Sequence, residues 1–289
     1  MALLTPPPHA ALTLPPGILY VVATPIGNLA DASPRALDTL RQADLVACED
    51  TRTTRTLLAR HGIDTATLAL HAHNERAAGV KLLAALQAGR NVALVTDAGT
   101  PGVSDPGALL VESAHRAGIR VVPVPGANAA IAAYSASGFA ADRFLFVGFL
   151  PAKAGARRKA LEELDLPWPV ILYEAPHRVL ETVADLAARF GGERELVIAR
   201  ELTKKFEETV RLPLADCRAW LLAGPHRQQG EFVLILAPGA PAAPDADEGE
   251  RVLGVLLESL PASEAAKLAA RITGAPRNAL YKLALERAK

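Results

Sequence analysis

Six short stretches place reactive or ligand-holding residue types close together. "TDAGTPGVSDPG", Thr96 to Gly107, crowds glycines and prolines around Asp97, Ser104 and Asp105 directly after the apolar run "NVALV". Glycine lets a main chain approach a ligand closely or take positive φ, and proline sets a turn and withholds a donor, so such a loop is a shaped backbone surface. It lacks GK[ST] and GxGxxG, which removes a phosphate-binding P-loop and a dinucleotide fingerprint. A zwitterionic or nucleoside ligand, met by amides, carbonyls and carboxylates, suits it better than a polyphosphate.

"CEDTRTTRTLL" brings Glu49, Asp50, Arg52 and Arg55 out together behind an apolar run, a cluster that can position phosphate or relay a proton. Asp50 or Thr51 is also a good helix N-cap. In "LHAHNE", a strand would put His71 and His73 on one face as a metal pair, yet no third ligand is evident, so substrate contact or a structural role is the better reading. "YEAPHR" sets Glu174 and His177 near a strand-to-helix junction, and "RELTKKFEE" mixes bases and acids after a β run. Finally, "PAKAGARRKALEEL" holds Lys153, Arg157, Arg158 and Lys159, the densest basic patch of the chain, able to grip RNA locally or simply to stay solvated.

These stretches need a scaffold. In the first half β-branched runs ("GILYVVAT", "DLVACED", "NVALV", "IRVVPVPG") alternate with Ala/Leu-rich helical ones ("SPRALDTLRQA", "TRTTRTLLARHG", "AGVKLLAALQAG", "GALLVESAHRAG"), the order of an α/β domain with a mainly parallel sheet. Three strands run into "TPIGN", "TDAGTPGVSDPG" and "PVPGANAA", and open sheets bind ligands at the carboxyl ends of their strands. The second half predicts a smaller mixed sheet from "RFLFVGFLP", "PVILYEAP", "ELVIARELTKKFEETVR" and "GEFVLILAP", with two clear helices.

Residues 237–250 read as a Pro/Ala/acidic linker, and the Pro-rich first residues as an extended tail. Beyond the linker, Ala265, Leu268, Ala269 and Ile272 take helical spacing, Gly274 stops the helix, and a second one restarts at Pro276 with Leu280 and Leu283 inward. Its Arg277, Lys282, Arg287 and Lys289 against Glu286 fit equally a helix-turn-helix on a phosphate backbone and a docked hairpin with a solvated basic face.

Thirty-one basic and thirty-one acidic residues cancel, so a nucleic acid must be met by a local patch rather than a global field. Cys48 and Cys217 have no CxxC partner, which argues against a disulfide framework or cysteine-based zinc site and favours a reducing cytoplasm. No membrane span or signal peptide is expected.

Taken in order, "TPIGNL", "CEDTR", "LHAHNE", "TDAGTPGVSDPG", "VPGANA", "FLP", "YEAPHR", "RELTKKFEE" and "GEFVLIL" resemble the tetrapyrrole methylase superfamily, and within it the branch acting on small-subunit ribosomal RNA as (cytidine-2′-O)-methyltransferases. The resemblance runs from about Gly17 to the C-terminus. It implies two α/β domains, residues 17–124 and 125–240, a linker and helix-turn-helix tail over 241–289, and S-adenosylmethionine folded into the cleft of a homodimer. It further implies cofactor contacts from Pro25, Asp97, Ala98, Gly99, Val103, Ser104, Asn128, Ala129 and Tyr173, with the "GEFVLIL" strand closing the cleft from the second domain. The reaction implied is direct methyl transfer to a ribose 2′-hydroxyl without a metal, on 16S ribosomal RNA or the small subunit. Glu49 and Asp50 are the first candidates for a base, Arg52 and Lys204 for phosphate or oxyanion contacts, and Glu174 and Glu201 follow. Two competing readings are a small-molecule methylase of corrin or sirohaem synthesis, for which the basic tail has no use, and a DNA-binding regulator with a ligand-sensing core.

Overall fold

A computed structural model describes residues 17–239 and 246–287. The proline-rich start, part of the linker and Lys289 lie outside the described residues. The chain divides into two compact units: residues up to Leu164 with Pro169–Ala237, and Asp165–Trp168 with the residues from Pro238 on.

The larger unit holds two five-stranded sheets. The first contains β1 (Ile18–Val22), β2 (Leu45–Cys48), β3 (Thr67–Ala69), β4 (Val92–Leu94) and β5 (Arg120–Val124) in the order β3-β2-β4-β1-β5. All its pairings are parallel. Along β1, Ile18, Tyr20 and Val22 enter one buried cluster while Leu19 enters another. A parallel sheet covered on both faces needs such continuously apolar strands. The covering helices are α1 (Pro34–Gln42), α2 (Thr51–Arg60), α3 (Glu75–Gln87) and α4 (Ala108–Arg116). Capping fixes where they start: Ser33 Oγ accepts from Ala36 N ahead of Pro34, and Asp50 Oδ1 accepts from Arg52 N at 2.8 Å.

The second sheet, in the order β6-β7-β10-β8-β9, is mixed: β6 (Leu145–Phe149) runs parallel to β7 (Val170–Glu174), whereas β10 (Phe232–Leu236), β8 (Glu195–Arg200) and β9 (Glu208–Pro213) pair antiparallel. Its helices are α5 (Ala129–Ser135), α6 (Ala154–Glu162), α7 (Val179–Phe190) and α8 (Leu214–Leu222), two more than expected, because α5 and α8 are too short and too uniformly apolar to show a stripe. Ala130 and Ala133 of α5 pack on Ile171, Val197 and Val233 of this sheet. The single long strand expected over "ELVIARELTKKFEETVR" is a hairpin, β8 and β9, turning through residues 201–207 with Glu201 and Thr203 at φ 50° and 66°.

The smaller unit is built of α9 (Ala246–Leu257), α10 (Ala262–Thr273) and α11 (Arg277–Arg287) around Leu253, Ala265, Ala266, Ala269, Ala275, Leu280 and Ala284. Helix α9 starts inside the stretch read as linker. Ala266, rather than the 65% exposed Ile272, completes the buried stripe of α10. Gly274 ends α10 at φ 72°, where a residue without Cβ is favoured. Among the described residues no helix is long and apolar enough to cross a membrane.

Candidate active site

The carboxyl ends of β1, β2, β4 and β5 carry the loops that make the site. After β4, the Gly/Pro loop is stitched on both sides: Thr24 N donates to Gly99 O at 2.8 Å, Gly99 N returns to Thr24 O at 3.1 Å, and Thr100 Oγ1 donates to Ala127 O at 3.0 Å. Gly99 takes φ 85°, and a Cβ there would lie 3.4 Å from Ile26 Cγ2. Gly107 takes φ 122°, with Leu94 Cδ2 only 2.7 Å from the place of a Cβ. The glycines are thus demanded by fold and site together. The loop reaches the second sheet where a Cβ on Gly148 would sit 2.7 Å from Ser104 Oγ.

A cavity of about 500 Å³ opens between the sheets, within the usual range for small-molecule sites. Among the residues expected to hold a ligand, Asp97, Ala98, Gly99, Val103, Ser104, Asn128, Ala129 and Tyr173 line it, and so does Glu49. Pro25 is buried and does not; its neighbour Ile26 forms that part of the wall. Asn128 caps α5, accepting from Ile131 N at 3.1 Å, and Tyr173 Oη accepts from Ala130 N at 3.2 Å, which pins the "PVPGANAA" turn to the second sheet.

Three carboxylates give this wall its charge. Asp97 Oδ1 accepts from Asp50 N at 3.0 Å, tying the β4 loop to the end of β2. Glu49 is half-buried, and burial first, then the charge of Asp97, raises its pKa above the ordinary carboxylate value. Burial also lifts Asp105, with Glu49 and Asp97 adding to it, up to about 6. Like charges around a partly dry pocket disfavour one another's ionised forms and are relieved by a cation.

The other candidates fall elsewhere. Asp50 caps α2 and pairs with Arg52 at 2.6 Å; the Arg52 hydrogen bonds hold its carboxyl down at about 2. Neither residue lines the cavity, so Asp50 is a poor base and Arg52, 89% exposed at its side chain, is no part of this wall. Glu174 reaches the wall, but its buried carboxylate accepts from Thr182 Oγ1 at 2.6 Å and Ala175 N at 2.8 Å and pairs with Arg178. Glu201 accepts from Lys204 Nζ at 2.9 Å and Glu231 N at 3.1 Å.

"LHAHNE" is a turn and helix start rather than a strand. Asn74 Oδ1 accepts from His71 N, and Glu75 Oε1 accepts from Gly107 N at 2.9 Å and Leu109 N at 3.2 Å, so this motif braces the start of α4. Among the described residues no group of three His, Cys, Asp or Glu side chains is placed to hold a metal ion.

Phe232 and Val233, which line the cavity, belong to the "GEFVLIL" strand expected at the cleft, whereas sequence reasoning missed Ile26, Phe149 and Leu202; together these five give the cavity its apolar side. Phe149, 55% exposed, and Phe146 set their rings 5.7 and 5.0 Å from that of Tyr173. Phe232 sits opposite both Glu174 and Arg200 in the antiparallel register. Pairing across the sheet brings Phe149, Phe232 and Val233 to one place, and the loops after β1 and β8 add Ile26 and Leu202.

Residues 18–217 match the model of the Tetrapyrrole (Corrin/Porphyrin) Methylases, and residues 243–288 that of the RsmI C-terminal HTH domain. The chain is 52% identical to a Ribosomal RNA small subunit methyltransferase I of Pseudomonas aeruginosa over 277 residues, 94% of this chain and 98% of that protein. It is 48% identical to one of Escherichia coli O157:H7, over 93% and 95% of the two chains. Two solved structures share the fold over 76% of this chain: a uroporphyrin-III-C-methyltransferase from Thermus thermophilus (TM-score 0.55, 21% identity, 94% of that chain) and a diphthine synthase (TM-score 0.56, 16% identity, 90% of that chain).

Proposed function

Since the chain belongs to the tetrapyrrole (corrin/porphyrin) methylases, we propose that it transfers a methyl group from S-adenosylmethionine to a cytidine ribose 2′-hydroxyl of small-subunit (16S) ribosomal RNA. The observation carrying this reading is the cavity itself, with a main-chain cradle at Gly99, the carboxylates of Glu49, Asp97 and Asp105 on one side, and on the other a largely apolar, aromatic surface bordered by Glu174 and Glu231. That set fits a ligand that joins a sulfonium and an ammonium to an adenine ring. The relatives named as small-subunit ribosomal RNA methyltransferases supply the substrate class, and the motif resemblance supplies the ribose position. A ribosomal substrate implies action in the cytoplasm, and the resemblance further implies a homodimer.

S-adenosylmethionine, when bound, supplies an electrophilic methyl group. Asp97, Asp105 and the loop amides would hold its zwitterionic end, while Leu202, Phe149, Tyr173 and Val233 would accept the ring. Rigid loops fix direction, and good alignment of two reacting groups is worth roughly 7–11 kcal/mol of barrier. Glu49, on the cavity wall with a raised pKa, accepts the proton that leaves the hydroxyl, a contribution of about 10² to 10⁴ in rate. Asp50 and Arg52 shape the start of α2 instead.

Incubation with S-adenosylmethionine and unmethylated small subunits, followed by mass analysis of nucleosides, tests this. The expected product is 2′-O-methylcytidine. Methylation only of a base, or of a tetrapyrrole in place of RNA, rejects the reading.

A further inference from the structure

A second concavity adjoins the first. The loop after β1 and the turn between β8 and β9 meet so closely that a Cβ on Gly27 would lie 2.5 Å from Lys204 Cγ, and Asn28 N donates to Thr203 Oγ1 at 3.1 Å. On one side of this seam Ile26 and Leu202 line the cavity described above. On the other, the next residues, Gly27 and Thr203, line an open groove of about 950 Å³ together with Asn28, Leu29, Ala30, Arg60, His61, Lys204 and Lys205.

The groove has a definite chemistry. Arg60, Lys204 and Lys205 supply its charged side chains, and no carboxylate lines it. Lys204 is neutralised from the rear by Glu201 and Glu231 at 2.9 and 3.0 Å, and these pairs raise its pKa despite burial. Arg60 and Lys205 are exposed. Beside Lys205, Phe206 leaves 64% of its surface in solvent, with Lys205 Nζ 5.5 Å from the ring centroid. Glu201 and Thr203, both non-glycine, hold left-handed backbone in this turn, a cost that persists where surrounding structure requires one loop shape. Cations over a polar groove beside an exposed aromatic ring are what single-stranded nucleic acid needs: phosphates meet the charges and an unstacked base meets the ring.

We propose that this groove is the track for a single-stranded RNA segment, with phosphates on Arg60 and Lys205 and a base stacked on Phe206. The seam at Gly27 and Lys204 keeps the track in register with the cavity. The inference rests on the RNA-methylating reading above. A double-stranded segment fits worse, because paired bases offer no free face to Phe206.

The test uses the full chain with a single-stranded oligoribonucleotide of the substrate sequence, measured by fluorescence anisotropy over a salt series, and with S-adenosylmethionine by calorimetry. Arg60→Ala with Lys205→Ala is expected to weaken RNA binding and to reduce the slope of log K against log salt by about 1.4, from about 0.7 per lost phosphate contact. Phe206→Ala is expected to weaken it about tenfold with the slope unchanged, and Phe206→Tyr to restore it. Cofactor affinity stays at the parent value in all three. Parent-like RNA affinity and slope in the double variant overturn the groove while leaving the methylation reading in place. Failure of the parent protein to bind or methylate any RNA overturns both.

Discussion

Arg157 Nε donates to Asp185 Oδ2 at 2.7 Å from a side chain only 2% exposed, and Arg157 Nη2 reaches Glu181 Oε2 at 3.2 Å. One residue of the densest basic patch in the sequence therefore fastens α6 to α7. Arg157→Ala should strand Asp185, whose side chain is only 16% exposed, while Glu181, 70% exposed, returns to water, so the loss should approach the lower end of the ~3–5 kcal/mol that removing one partner of a buried pair costs. Thermal or urea unfolding of the variant checks this. Arg158, 66% exposed and 3.5 Å from Asp185, should cost under about 1 kcal/mol on truncation. Equal stability of the two variants contradicts the assignment.

Asp105 makes cofactor affinity depend on pH. Its folded pKa, about 6, lies above the ordinary value, so the free protein binds this proton more tightly than the unfolded chain does. The stability associated with it is present below the ordinary carboxylate value and is lost as pH rises through about 6. A cationic ligand requires the ionised form. Binding should thus strengthen as pH rises toward and past 6, with net proton release in calorimetry. Asp105→Asn should bind the cofactor at least about tenfold more weakly, the size of one charge-assisted hydrogen bond lost, and with a flat pH profile through this range. A parent-like profile in this variant removes Asp105 from the cofactor site.

The neighbouring acids Glu49 and Asp50 separate by the same logic. Glu49→Gln keeps shape but removes the proton acceptor, so single-turnover transfer should fall about 10²-fold or more with cofactor affinity within a few-fold. Asp50→Asn retains an N-cap side chain and should keep nearly full rate at a small loss of stability. If Asp50→Asn is the slow variant and Glu49→Gln the normal one, the roles are reversed.

How far the sequence disclosed this site follows from what local chemistry encodes. Strand-end glycines and prolines are demanded by backbone shape, so "TDAGTPGVSDPG" and "PVPGANAA" were legible, as was the parallel order of the first sheet. Ile26, Phe149 and Leu202 were not, because an apolar residue at a strand end or in a turn carries no mark of which element will lie beside it. The charge run at Arg157 misled for a related reason: its partners Glu181 and Asp185 lie a helix away in sequence, and only packing distinguishes it from Arg158. Helix α9 was hidden by the acidic run in front of Val252, Leu253, Leu256 and Leu257, whose spacing is helical.

That last difference changes where the chain should be cut. Removal of everything after Glu250 would sever α9, whereas a stop after Gly239 removes all three helices, α9, α10 and α11, intact. This unit has its own core, formed by Leu253 of α9, Ala265, Ala266 and Ala269 of α10, Ala275, and Leu280 and Ala284 of α11. Opposite that core, α11 exposes Arg277, Asn278, Tyr281, Lys282 and Leu285 with a single acid, Glu286, a face whose cations suit a phosphate backbone. A second grip on the same RNA raises the effective concentration of substrate at the cavity without touching the reacting ribose. The shortened protein should bind S-adenosylmethionine with parent affinity and show a raised KM for small subunits with kcat changed far less. Arg277→Ala with Lys282→Ala in the full chain should reproduce part of that rise and lower its salt dependence. A shortened protein that unfolds shows the three helices to be needed for the core's stability, and one that keeps the parent KM shows that α11 takes no part in recognition.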